Sequence, residues 1–202
     1  MNVRIQNTLR FMAGVHYADR LAMNEYTIKV YMMTNTHDPA ESGIAFDRIK
    51  HFVYSQLENT VFIHSELEDQ IEKYLAAGVS VTTLPGDPVD QLIGVMLYYK
   101  LTAIVEGRMI IGEIESSSVL GEGIVYMHGE NENVEDIEIP AWWTTPDPTQ
   151  CDATLIDTDK VVAMHQSGVW RDLDLGWPDS ENSTETGNTV VFADFKKSDD
   201  TK

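Results

Sequence analysis

Two glutamates interrupt an otherwise apolar strand pattern in the segment MIIGEIESSSVLGEGIVY (109–126). Successive side chains of a strand point to opposite faces, so Glu113 and Glu115 should share one face with Ile111. Ile114 should then point to the other face. A carboxylate on a strand can accept hydrogen bonds from the N–H groups of a partner or of a ligand in a pocket. The segment therefore predicts either a ligand-binding carboxylate or, with equal weight, two solvent-facing residues of a hairpin.

Other residue types with chemical potential give weaker signals. The hydroxyl of Ser116 could donate to a ligand, although a solvated strand end is the commoner reason for three consecutive serines. The single cysteine, Cys151, cannot form a disulfide within the chain. None of the six histidines stands at the spacing of a helical metal site, and neither a nucleophile elbow nor a phosphate loop is present. The sequence thus predicts no metal, no cofactor and no catalytic residue.

The charge balance is strongly acidic. The chain has 202 residues and a formal net charge of -19, and residues 128–202 alone carry 17 acidic against 5 basic side chains. Binding to nucleic acid or to an anionic membrane requires a basic surface, so both classes of partner are disfavoured. The charge favours solubility in the first place. Its alternative meaning is an acidic surface that imitates nucleic acid or docks on a basic protein.

No apolar run is long enough to span a membrane, and the N-terminus lacks the pattern of a secretory signal, so we expect a soluble, cytoplasmic protein.

The hydrophobic pattern predicts an alternation of strands and helices. Apolar residues at alternate positions in 9–15 and 26–32 predict an antiparallel strand pair, with HDPAESG (37–43) as a loop after it. Helical spacing predicts helices within 44–59, 65–78 and 86–107. Asp87 is the expected N-cap of the third helix, with Pro88 at its first position. A short strand over 79–85 and a hairpin over 109–129 complete the pattern.

The composition changes at about residue 130, which suggests a domain at 1–129 and an acidic C-terminal extension at 130–202. A strand is expected over TVVFADF (189–195). All four tryptophans stand in the extension, so we expect it to wrap over the core or over a neighbouring subunit. They are the candidate partner-binding residues: Trp142, Trp143, Trp170 and Trp177.

The order of these elements resembles the T-fold, specifically the 6-pyruvoyltetrahydropterin and 6-carboxytetrahydropterin synthase family. The resemblance covers about residues 8–130, and the segments that carry it are FMAGV (11–15), ADRLAMNEYTIKVYM (18–32), GIAFDRIK (43–50), LPGDPVDQL (84–92) and GEIESSS (112–118). It implies an α+β, T-fold-like antiparallel sheet with helices packed on one face, which oligomerises through its edges. It also implies that Glu115 is the first choice, and Glu113 the second, for the glutamate that holds the heterocycle.

The positions that carry this family's chemistry are replaced here. The resemblance puts its three zinc histidines at Val15, Ala22 and Asn24 and its catalytic cysteine at Ala18. His16 is one residue late, so strand alternation should turn it to the opposite face. The Asp–His pair that activates the nucleophile would fall near Asn59 and Thr60, neither of which does acid–base work at neutral pH.

Three hypotheses about function follow from these residues. The first is a non-catalytic, degenerate pterin-synthase-like oligomer that binds a pterin or purine at a subunit interface through Glu115, Glu113 or Ser116. The second is an acidic interaction or inhibitor protein, of bacterial or bacteriophage origin, that binds a basic protein through its surface and extension. The third is an enzyme without a metal, for which His51, Lys50 and His128 are the only candidate bases.

Overall fold

The computed structural model describes residues 4–35, 38–130, 137–148, 150 and 170–178. Cys151 and the expected strand at 189–195 lie outside these ranges. Six strands form one sheet, in the order β4-β3-β1-β2-β5-β6. The elements are β1 (Arg4–Tyr17), β2 (Arg20–Thr34), α1 (Pro39–His51), β3 (Val61–His64), α2 (Glu68–Ala76), β4 (Val81–Leu84), α3 (Asp90–Ile104), β5 (Met109–Ser118), β6 (Val125–Gly129) and α4 (Ala141–Thr144).

The central hairpin of β1 and β2 is the predicted antiparallel pair. Its two-residue turn places Ala18 and Asp19 at φ 48° and 60°, the left-handed conformation that matches the twist of the flanking strands. One face of the hairpin carries Phe11, Tyr26 and Ile28, which are almost fully buried. Every second residue of both strands therefore points to the core, which lies on one face of the sheet.

The first long helix begins earlier than its sequence pattern indicates. The HDPAESG segment was predicted as a loop, but the carboxylate of Asp38 accepts a hydrogen bond from the N–H of Ala40 at 2.8 Å and caps α1. Pro39 occupies the first turn, where its missing N–H costs nothing. The helix then continues as a π-helical turn, Phe52–Leu57, to the end of the predicted span.

The third long helix begins later than predicted. The N-cap position is held by Val89 rather than by Asp87, and α3 starts at Asp90. Pro88 therefore precedes the helix. Val89 itself is extended, and its N–H donates to the carbonyl of Asp87 at 2.7 Å. Asp87 and Pro88 therefore form a turn before the helix and do not cap it.

A parallel unit extends the sheet on one side. Strand β3 was absent from the prediction because four residues without alternation resemble the end of a helix. It pairs in parallel with β1 and with β4. The connecting helix α2 buries Ile71 against Ile63 and Val81, in a small cluster separate from the main core. Because Phe62 faces the main core and Ile63 points the other way, α2 covers the opposite face of the sheet from α1 and α3.

The other side of the sheet is the glutamate-bearing hairpin. Strand β5 pairs antiparallel with β2, but the register shifts between Tyr31 and Met32, so that Gly112 has no partner. This β-bulge turns Ile111 to the same face as Ile114, and both are buried. The prediction that Ile111 shares a face with the glutamates was therefore wrong.

The predicted α+β class is confirmed. The six-stranded sheet is antiparallel across β1, β2, β5 and β6 and parallel at β3 and β4, and it carries helices α1 and α3 on its core face. Within the described ranges, none of the helices has the length and apolar character needed to cross a membrane.

Candidate functional site

The candidate carboxylate Glu115 lies on the open face of the sheet, away from α1 and α3. Directly across the β2–β5 pair stands Lys29, whose Nζ is 2.6 Å from Oε2 of Glu115. The hydroxyl of Tyr31 donates to Oε1 at 2.7 Å. The side chain of Glu115 is 18% exposed and that of Lys29 40%. The three residues thus form a surface triad on neighbouring strands.

The triad fixes the protonation state of its carboxylate. Hydrogen bonds from Lys29 first, and then from Tyr31, lower the pKa of Glu115 below its ordinary value. The same contacts raise the pKa of Lys29 and of Tyr31. Glu115 is therefore a carboxylate at neutral pH. Two of its roughly four acceptor positions are used, which leaves one on each oxygen for an incoming N–H group.

The structure brings Glu113 to this face but not Ser116. Glu113 pairs with Tyr31 and is half-buried beside the triad. Ser116 faces the helices and is 3% exposed. Its hydroxyl lies under Gly94 of α3, next to the ring of His128. A single ligand on the open face therefore does not touch Ser116, because the sheet separates it from Glu115.

The positions that the resemblance assigns to zinc ligands do meet in space. Val15 and Ala22 are directly paired across the β1–β2 hairpin, and Asn24 follows Ala22 by two residues on the same strand. The side chains of Val15 and Ala22 carry no donor atom. The amide oxygen of Asn24 accepts a hydrogen bond from the N–H of Leu120 at 3.0 Å. These residues do not fit a zinc ion, and no group of three potential ligands occurs among the residues that the structure describes.

The remaining family positions are structural here. Ala18 is exposed in the hairpin turn and Asn59 is in a left-handed turn at φ 63°. Thr60 is fully buried, and its hydroxyl shares a hydrogen bond of 3.0 Å with that of Thr82. His16 is buried against α2, where its Nδ1 lies 2.9 Å from the hydroxyl of Tyr74. None of these groups approaches Glu115.

The three candidate bases lie apart from the glutamates. Lys50 is exposed on α1 and pairs with Asp47 at 3.1 Å. His51 packs edge-on against Trp170, where burial lowers its pKa. His128 faces α3, across the sheet from Glu115. The geometry does not assemble an acid–base pair around the carboxylate.

The four candidate partner-binding tryptophans are buried inside the chain. Trp142, Trp143, Trp170 and Trp177 are 3%, 0%, 5% and 6% exposed and belong to the main core. The described parts of the extension therefore wrap over the chain's own domain. In this packing the four indole rings are not accessible to a partner. Partner binding through the tryptophans stays a prediction, and it would require these rings to leave the core.

Two buried cations hold the extension in place, and sequence reasoning missed both. The guanidinium of Arg48 lies 3.9 Å from the ring of Trp177 and 4.9 Å from that of Trp170. It also donates to the carbonyl of Leu175 at 2.8 Å and pairs with Glu106 at 2.5 Å. These contacts clamp residues 170–178 against α1.

Lys100 holds the part of the extension around α4. Its side chain is fully buried, and its ammonium group donates to the carbonyl oxygens of Trp142 at 2.7 Å and Thr145 at 3.0 Å. Burial lowers the pKa of Lys100 to about 8. The available signal was helical spacing to apolar residues: Arg48 lies four residues before Phe52, and Lys100 lies four residues after Met96.

Comparisons with known proteins find similarity to solved structures, including the two that follow. No family model matches the chain, and no curated protein matches it. An uncharacterized protein from Wolinella succinogenes aligns at 12% identity and a TM-score of 0.48, over 65% of this chain and 99% of that chain. A catalytic-residue mutant of the 6-pyruvoyltetrahydropterin synthase of Plasmodium vivax aligns at 9% identity and a TM-score of 0.37, over 64% of this chain and 98% of that chain.

Proposed function

We propose that this chain is a pterin-synthase-like protein that acts by binding a pterin or purine rather than by catalysis, and that Glu115 is the carboxylate that contacts the ring. The observation that carries the proposal is the triad of Lys29, Tyr31 and Glu115, which keeps Glu115 ionised on a solvent-facing strand. A charge-assisted pair of N–H···O bonds to a planar ring needs such an acceptor.

The rest of the proposal follows from the replaced positions. Val15 and Ala22 remove the donors that zinc requires, so the reaction of this family has no metal centre here. The order of elements on which the resemblance rests also occurs in the structure, with strand β3 added between the first two helices. The proposal includes a homo-oligomer in which a neighbouring subunit completes the site beside Glu115, because the triad alone is open to solvent.

Calorimetric titration at pH 7 with pterin and with guanine tests the proposal. We expect Glu115→Gln to weaken binding by about 10-fold to 100-fold, because a hydrogen bond to a charged acceptor contributes about 1.5–3 kcal/mol. Glu25→Gln is the matched control, since Glu25 is exposed on the same strand as Lys29. Absence of heat with both compounds, or equal affinity of both variants, would refute the assignment of Glu115.

Native mass spectrometry of the purified chain tests the assembly. An oligomer that releases a small heterocycle on denaturation is the expected result. A monomer without any bound compound would contradict the subunit-interface site.

A second candidate function is binding to a basic protein through the acidic surface. The formal net charge of -19 favours it, because such a charge attracts a basic partner. The extension contributes to the same surface through exposed acids such as Asp172 and Asp174. Binding of this kind should weaken steeply as salt is added, since exposed charges are screened within about 8 Å at physiological ionic strength.

A further inference from the structure

Met127 lies directly across the β5–β6 pair from the candidate carboxylate. The register of this antiparallel pair places Met127 opposite Glu115, just as the β2–β5 register places Lys29 opposite Glu115 on the other side. Opposite residues of an antiparallel pair point to the same face, with their Cβ atoms about 4.5–5.5 Å apart. The thioether of Met127 is therefore the neighbour of Glu115 on its β6 side.

The contacts of Glu115 determine the side from which a ligand can reach it. Both of its hydrogen-bond partners, Lys29 and Tyr31, belong to β2. These two side chains occupy the β2 side of the carboxylate. A planar ring can therefore approach from the solvent above the sheet or from the side of β6. Met127 is 51% exposed, so a ring on the β6 side meets its thioether.

The side chains of β6 suit the face of a planar heterocycle. Strand alternation puts Val125, which is 50% exposed, on the same face as Met127. Gly129, two residues beyond Met127, adds no side chain. A thioether is polarizable and makes favourable contacts with aromatic rings. An ionised acceptor beside an apolar surface is the combination on which small-molecule sites are built.

The sulfur of Met127 is also a site of chemical modification. A peroxide transfers one oxygen atom to a thioether: the O–O bond breaks, an S–O bond forms, and the products are methionine sulfoxide and water. The sulfur is oxidised and the peroxide is reduced. The sulfoxide is polar, so a ring that packs on it loses its apolar contact. Its oxygen is moreover an acceptor, placed beside the negative charge of Glu115.

We propose that Met127 packs against the face of the heterocycle that Glu115 binds, and that oxidation of its sulfur by a peroxide releases this ligand. This inference rests on the proposed function, to which it adds a second contact residue and a redox control. Met12 is the internal control. It is 47% exposed on the same face of the sheet, but it lies on β1, two strands away from Glu115, and pairs with Glu25.

Calorimetric titration of the full chain with guanine and with pterin, before and after treatment with hydrogen peroxide, tests the proposal. The proteins compared are the wild type, Met127→Leu, Met127→Gln and Met12→Leu. Leucine keeps an apolar side chain of similar volume and has no sulfur to oxidise. Because the chain has nine methionines, the comparison of the two leucine variants after treatment isolates the effect of residue 127.

The expected results differ between the two methionine positions. Before treatment, Met127→Leu should bind the ring within about 3-fold of the wild type, and Met127→Gln about 10-fold more weakly, because the amide replaces an apolar contact. After treatment, the wild type and Met12→Leu should lose affinity by about 10-fold, whereas Met127→Leu should keep it. Peptide mass spectrometry should show that the bound ring slows oxidation of Met127 and not of Met12.

The outcomes separate this inference from the proposed function. The inference alone is refuted if the wild type binds a ring through Glu115, but Met127→Gln binds it as tightly or peroxide weakens both leucine variants equally. If the wild type binds neither guanine nor pterin, the proposed function is refuted and the inference with it.

Discussion

Arg48 shows how a single residue can join the extension to the domain. It is 2% exposed, yet it carries a full charge, so its solvation must be replaced by protein groups. Glu106, two backbone carbonyls and two indole rings supply that replacement. Burial lowers the pKa of Arg48, but the residue stays protonated because arginine is the most basic side chain.

Replacement of Arg48 should therefore loosen the extension. We expect Arg48→Met to lower the free energy of unfolding by about 3 kcal/mol, because Glu106 and the carbonyls lose their donor. Trp170 and Trp177 should become more exposed, which shifts the fluorescence emission to longer wavelength. Lys50→Ala, on the exposed side of the same helix, should change stability by less than about 0.5 kcal/mol in the same urea titration. If Arg48→Met changed the free energy of unfolding as little as Lys50→Ala does, the contacts of Arg48 would not contribute to stability.

The sequence could not reveal this role, for a physical reason. A basic residue on an apolar helix face becomes a core residue only if acceptors from elsewhere reach it. For Arg48 those acceptors come from residues 106 and 175, far away along the chain. The placement of Glu115 needed less information. Strand alternation next to the apolar Ile114 was enough to put it on the face of the sheet that points away from the core. Its partners Lys29 and Tyr31 depend on the β2–β5 register, which the sequence does not give.

At the scale of elements, the packing of α3 on the sheet depends on Gly94. A Cβ added at this position would overlap Nε2 of His128 and lie 2.5 Å from Oγ of Ser116. The helix therefore approaches β5 and β6 as closely as it does because residue 94 has no side chain. Gly43, in α1, has no atom within 4 Å of the equivalent position.

The two glycines should respond in opposite directions to alanine. Gly94→Ala should destabilise the protein by about 1–3 kcal/mol, the cost of forcing an extra methyl group into a packed core. Gly43→Ala should stabilise it by about 0.5–1 kcal/mol, because alanine loses less backbone entropy in a helix. Urea unfolding measures both. Addition of Ser116→Ala should recover part of the loss in the Gly94→Ala protein; no recovery would argue against this contact.

Elements with a strong period were predictable, and short or irregular ones were not. Strands β1 and β2 and helix α3 follow their hydrophobic periods over ten or more residues. The four residues of β3 have no period, and the bulge at Gly112 reverses the faces of β5. The start of α1 was missed because a proline and a glycine suggest a loop, although Asp38 and Pro39 are also a cap and a first turn.

At the scale of the whole molecule, the described parts of the extension belong to the main core. Trp142 and Trp143 pack with the helices, and Trp143 stacks on Tyr99 of α3 with 6.5 Å between ring centroids. The boundary predicted at residue 130 stays a prediction about sequence composition. We therefore expect the described parts of the extension to unfold together with the domain. Lys100 of α3 couples the two, because it binds carbonyl groups of the extension.

The lowered pKa of Lys100 predicts how the free energy of unfolding changes with pH. Below pH 8 the lysine is protonated in both the folded and the unfolded chain, so the cost of burying its charge is present in full. Between about pH 8 and its ordinary pKa of 10.5, the unfolded chain still binds the proton and the folded chain does not, so this contribution makes stability rise with pH. The groups that face the ammonium are the carbonyls of Trp142 and Thr145, the carboxylate of Asp147 at 3.8 Å and the ring of Phe52.

Urea unfolding of the wild type and of Lys100→Met between pH 7 and 10.5 isolates this group, because every other titration is shared. The free energy of unfolding of the wild type, relative to the variant, should increase by up to about 3 kcal/mol across that interval, since one pKa unit corresponds to about 1.4 kcal/mol. Parallel pH profiles would contradict this prediction. They would mean that Lys100 has the same pKa in both states, so that the carbonyls and Asp147 offset the burial of its charge in full.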